Sequence, residues 1–144
     1  MKKVLSTLLI LGAAALFVVL PTTVHAQCTN AALTGSYAMI WQGFTAKKSV
    51  HGPYVPWAGV GILTFDGAGN ATASWTTSVD GTIYTSQFGA GPYTVNPDCG
   101  GALSLTSGSA AGFTSNLVIA GGGAEVFVLS TGTGDAATFT LKKQ

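Results

Sequence analysis

The residues of this chain that could do chemistry are few and scattered. Asp66 and Asn70 stand close together in the stretch FDGAGNAT (65–72), where they could hold a metal ion or turn a hairpin. A calcium loop needs about six or more oxygens, usually from several carboxylates. This stretch offers one carboxylate and one amide. Asp capping the backbone, Gly supplying positive φ and Asn tolerating the left-handed region all belong to a turn, so a turn is expected and a metal site is not. His51 lacks partners for a metal site, His25 lies in the leader, and no Ser-His-Asp order is visible. Glu125 alternates in phase with Phe127 and Leu129. Pointing inward it would be an acid of raised pKa, but its place at a strand end favours an outlet to water. Trp41, Trp57 and Trp75, with Tyr37, Tyr54 and Tyr93, could line an apolar pocket or simply pack a core. No residue pattern implies a cofactor.

Two cysteines remain, Cys28 and Cys99. Their redox state depends on where the chain goes, and the N-terminus carries an address. Lys2 and Lys3 precede an uninterrupted apolar run over 8–20, Pro21 breaks it, and Val24-His25-Ala26 offers a cleavage site before Gln27. That is the layout of a secretory signal peptide, residues 1–26. The run is short for a membrane span, which needs roughly 20 apolar residues. Lipidation of Cys28 would require a small residue before it, where Gln27 stands. Export to a periplasmic or extracellular compartment makes a Cys28–Cys99 disulfide the expectation. A metal site or a reactive thiol is the rival, weakened by the absence of CxxC spacing.

Residues 27–144 then form one domain of modest core. Its only bases are Lys47, Lys48, Lys142 and Lys143, against Asp66, Asp80, Asp98, Glu125 and Asp135. Nucleic-acid binding runs on basic patches, so that class is set aside. Once the leader is removed, no segment reads as a membrane span.

The elements that must position these residues are strands. Apolar residues recur with period two between Gly, Ser and Thr punctuation, which predicts about eight strands. They fall near 35–44, 55–65, 70–79, 82–95, 101–106, 112–119, 124–130 and 137–142, the fourth bent or split at Gly89–Pro92. Short links favour antiparallel neighbours. The expected fold class is therefore all-β: an antiparallel meander closing into a small barrel, preceded by an N-terminal signal helix. Tyr37, Met39 and Trp41 share one face; so do Ala71, Ala73, Trp75, Thr77 and Val79. The second and seventh strands are apolar on both faces, which predicts cover on both sides. The one long connection, 45–54, carries Lys47, Lys48, His51 and Pro53. Long loops on a rigid scaffold carry binding residues, so His51, Tyr54 and Trp57 are expected to flank an opening whose interior is lined by Trp41 and Trp75.

Three segments carry a family resemblance. Residues 28–37 (CTNAALTGSY) resemble the C-x-N-x-x-L-x-G-x-Y opening of small secreted bacterial proteins with an allene-oxide-cyclase-barrel-like domain. Residues 61–70 (GILTFDGAGN) resemble their G-x-L-T-F-D-G-x-G-N hairpin, and 93–101 (YTVNPDCGG) their Y-T-V-N-x-D-C-x-G segment. The resemblance implies an eight-stranded antiparallel barrel of lipocalin-like shape. It carries over no catalytic residue of the plant cyclases. Three functions follow from these readings: a binding module for a small apolar ligand, a surface or assembly protein, and a cyclase- or isomerase-type enzyme using Glu125. The first is favoured, and an enzyme is not.

Overall fold

The computed structural model describes residues 27–47 and 52–144, and residues 1–26, expected to be a signal peptide, lie outside them. A 3-10 turn, Asn30–Ala32, is followed by β1 (Thr34–Ala46), β2 (Tyr54–Asp66), β3 (Asn70–Val79), β4 (Thr82–Val95), β5 (Gly100–Leu105), β6 (Ser107–Gly108), β7 (Phe113–Ala120), β8 (Glu125–Ser130) and β9 (Asp135–Lys143). Every pairing is antiparallel. The order β3-β2-β1-β9-β8-β7-β5-β4 closes on itself through β3–β4, giving an eight-stranded barrel with β6 as a short addition beside β4.

Alternation sets the two faces. Tyr37, Trp41, Leu63, Phe65, Leu103, Leu105, Leu117, Val126, Val128, Phe139 and Leu141 are all buried inside. Each strand therefore points every second side chain at the axis, as a small filled barrel requires. The interior is fitted large against small. Trp41 faces Gly59 across β1–β2, and Gly61 faces Trp75 across β2–β3. A Cβ at Gly59 would land on the Trp41 ring, so only glycine lets the indole lie against the wall there. Trp41 stacks on Phe139 at 5.5 Å and meets Trp57 edge-on at 6.0 Å.

β4 differs from the expected split at Gly89–Pro92. It runs unbroken, because Pro92 falls between the stretch facing β5 and the stretch facing β6, where its missing N–H interrupts no ladder. The irregularity lies higher. Trp75 pairs with Gln87 and Thr77 with Tyr84, so β4 bulges at Thr85 and Ser86, with Ser86 at φ 56°. The hairpin before it turns on Asp80 and Gly81, both with positive φ, as a two-residue type I′ turn demands.

No described segment of the chain itself supplies the cover expected for the doubly apolar strands. Among the described residues nothing lies over Val60, Ile62, Phe127 or Leu129, all of which are exposed. Closure of the barrel satisfies the backbone without any outer layer, so the outer apolar residues simply face out.

Candidate functional site

The two ends of the barrel are built differently. At one end the N-terminal segment forms a plug. Leu33 is fully buried, Cys28 is bonded to Cys99, and Asn30 Oδ1 accepts the Val95 N–H at 2.8 Å. The Tyr93 hydroxyl donates to the carbonyls of Asn30 and Leu33 at 2.9 and 3.0 Å, and the Tyr37 hydroxyl to Gly123 at 2.7 Å. Burial pushes both phenols above the ordinary tyrosine value. Phe65 sits edge-on between the two rings, 5.4 Å from Tyr37 and 4.8 Å from Tyr93. The turn after β2 belongs to this end. Asp66 Oδ1 accepts the N–H groups of Ala68 and Asn70 at 2.7 and 2.9 Å, and Oδ2 accepts from the Asn70 side chain at 2.6 Å. These bonds, the Asn70 side chain first, hold the Asp66 carboxyl down to about 2. Three donors of its own turn engage the carboxylate, and among the described residues no group of three or more His, Cys, Asp or Glu comes together to hold a metal. This end is structural.

Among the described residues, the other end is open. Inside it lies an apolar cavity of about 60 Å³ walled by Met39, Trp41, Trp57, Trp75, Phe113 and Phe139, among others, with no carboxylate in its lining. Next to it is a basin of about 740 Å³ at the mouth, and Trp57, Trp75, Ala110 and Phe113 line both. The basin adds polar groups: Thr45, Thr77, Thr82, Gln87, Ser109, Asp80 and Asp135. Its rim is held by a Lys47–Asp80 ion pair and by Thr45 donating to Asp135 at 2.8 Å. Trp57 is oriented by its indole N–H, which donates to Thr77 Oγ1 at 2.8 Å; Thr77 in turn donates to the Ala58 carbonyl at 3.0 Å. Trp41 is buried with an indole N–H that finds no partner in the protein.

The structure thus brings Trp41, Trp57 and Trp75 around one hollow. Tyr54, expected to flank the opening, is not part of that lining. It is in phase with Pro56, Ala58 and Val60, so the two-residue period turns it to the outer face, where it is exposed. His51 lies outside the described residues. Glu125 also points out, opposite Lys142 in the β8–β9 register and 3.7 Å from its ammonium. Residues the site reading missed are Phe113, Phe139, Ala110 and Tyr84.

No family model matches the chain, and neither a curated protein nor a solved structure matches it.

Proposed function

We propose that this chain is an exported binding module whose open barrel mouth takes an apolar group of a small ligand. The observation that carries the reading is that the apolar cavity and the mouth basin share Trp57, Trp75, Ala110 and Phe113 as walls. Pockets that enclose a drug-sized ligand run about 300–1,000 Å³. A cavity of about 60 Å³ admits only the apolar end of a ligand, with the rest in the basin. Aromatic walls give large contact area at low conformational cost, and the plugged, disulfide-pinned far end keeps the wall rigid. The disulfide supports export. The intact mass of the exported protein should correspond to a start at Gln27. The likeness to allene-oxide-cyclase-barrel-like proteins belongs to the same proposal. Its support is that all three resembling segments meet at the plugged end, where a shared architecture would be specified.

A second reading, a surface or assembly protein, has its own observation. Val118, Phe127, Thr140, Ile40, Val60 and Thr76 are successive cross-strand neighbours on the outer wall, and none is charged. Apolar rows of this extent mark interaction surfaces.

Trp57→Ala separates pocket from plug. If the mouth binds, the variant folds and loses binding of an environment-sensitive naphthalene dye. If Trp57 only seals the barrel, the change costs roughly 3–5 kcal/mol of stability and dye binding holds or rises.

A further inference from the structure

The mouth is a cleft in the barrel wall as well as an axial opening. β4 stays paired with β3 up to the hairpin tip, where Val79 faces Thr82. On its other side it has strand partners only lower down, Tyr93 to Val95 against β5 and Gly89 and Ala90 against β6. Phe88 is held by Ser109, whose N–H and hydroxyl donate to the Phe88 carbonyl at 2.8 and 3.0 Å and whose Oγ accepts the Phe88 N–H at 2.9 Å. The chain then turns back through 109–112 into β7 instead of continuing beside β4. Among the described residues, no strand lies along 82–87 on that side. Within the segment, the Thr85 carbonyl accepts from the Gln87 side chain at 3.0 Å.

This strand edge borders the basin. Thr82, Tyr84 and Gln87 form one margin, and residues 109–113 form the other. Native sheets guard such edges with lysine, proline or a bulge; here the bulge at Thr85 and Ser86 is present, but 82–88 holds neither lysine nor proline. Neither margin carries a formal charge; the Lys47–Asp80 ion pair stands at the hairpin tip, and with Asp135 it lines the same basin.

Resting on the mouth as the binding site, we propose that its ligand is an extended, uncharged peptide segment. It adds as a strand to residues 82–87 and sends one apolar side chain into the inner cavity. Three features fit this occupant together. A strand satisfies the edge through its backbone, whatever its sequence. Its two-residue period puts alternate side chains on the cleft side. The cavity, at about 60 Å³, has the scale of an aliphatic side-chain end. An uncharged segment also matches residues 82–87 and 109–113, which carry no charged side chain, while Lys47, Asp80 and Asp135 line the rest of the basin.

The test is displacement of a bound naphthalene dye from the exported protein by a capped heptapeptide of alternating threonine and leucine. Two further versions carry N-methyl groups on the leucine or on the threonine amides. A strand uses one edge, so one methylated version should lose affinity and the other should bind like the parent. Each backbone hydrogen bond removed is expected to weaken binding about two- to tenfold. Thr85→Pro, which removes no β3 pair because Thr85 lies in the bulge, should weaken the parent peptide and spare the dye. Dye binding with no displacement by peptide would overturn the strand proposal and leave the pocket standing. So would equal displacement by all three peptides. A dimer that Thr85→Pro dissolves, with no peptide binding, would overturn it in favour of a second copy at this edge. Failure of dye and peptide alike would bring down the pocket reading as well.

Discussion

Gly59→Ala tests the packing that shapes the hollow. The added methyl would land on the Trp41 ring and beside the Thr76 carbonyl. β2 cannot retreat, because it is laddered to β1 and β3 along this stretch. The Trp41 ring is hemmed by Phe139 at 5.5 Å and Trp57 at 6.0 Å. The slack available to it is the apolar cavity of about 60 Å³. The ring should therefore tilt inward and fill that space. Overpacking of this kind costs ~1–3 kcal/mol. At ~4 °C per kcal/mol for a domain of this size, Tm should fall by roughly 4–12 °C. Thermal unfolding followed by near-ultraviolet circular dichroism reads both the loss and the altered indole environment, and dye binding should weaken in the same variant. An unchanged Tm together with unchanged dye affinity would show that Trp41 does not lie against the β2 wall, and the derivation of the cavity would fail with it.

Replacing both cysteines by serine opens a loop whose ends lie 71 residues apart, and should cost on the order of 4 kcal/mol in urea unfolding; a loss below about 1 kcal/mol would mean the plug holds without the bridge. Tyr93→Phe removes the hydroxyl shared by the Asn30 and Leu33 carbonyls and should cost ~1–3 kcal/mol, with faster hydrogen exchange confined to the N-terminal segment. The Asp66 carboxyl is depressed from 3.8 to about 2 in the folded chain. The fold thus favours its charged form, so its contribution is present above the unfolded value and is lost as pH falls through the folded one. The stability gap between wild type and Asp66→Ala should be widest near neutral pH and should close as pH approaches about 2; a gap independent of pH would reject the turn bonds as its cause.

The strands were legible in the sequence because most obey a strict two-residue period. β3 and β4 begin and end where alternation and the Asp80-Gly81 turn place them. The Asp66 turn was legible too, since one carboxylate and one amide cannot complete a metal shell. Three features were not. The bulge at Thr85 and Ser86 shifts the phase of β4, so Tyr84 lines the mouth where uninterrupted alternation from Gly89 would place Thr85. Ala110 reaches the hollow from a turn, where no periodicity applies. Tyr54 sits one residue out of phase with Val55 and Trp57, and its nearness to the long loop masked that phase. Outer cover for β2 and β8 was inferred from composition alone, which cannot distinguish a covered wall from a wall exposed to a partner.

The central claim is that ligands enter the mouth and do not spread on the outer wall. A ¹H–¹³C nuclear magnetic resonance titration of residues 27–144 with 1-naphthol tests it directly. The account predicts saturable shifts at Met39, Trp41, Trp57, Trp75 and Phe113, with Ile40, Val60, Val118 and Phe127 unmoved. Shifts confined to those outer residues, with the indoles of the hollow silent, would contradict it.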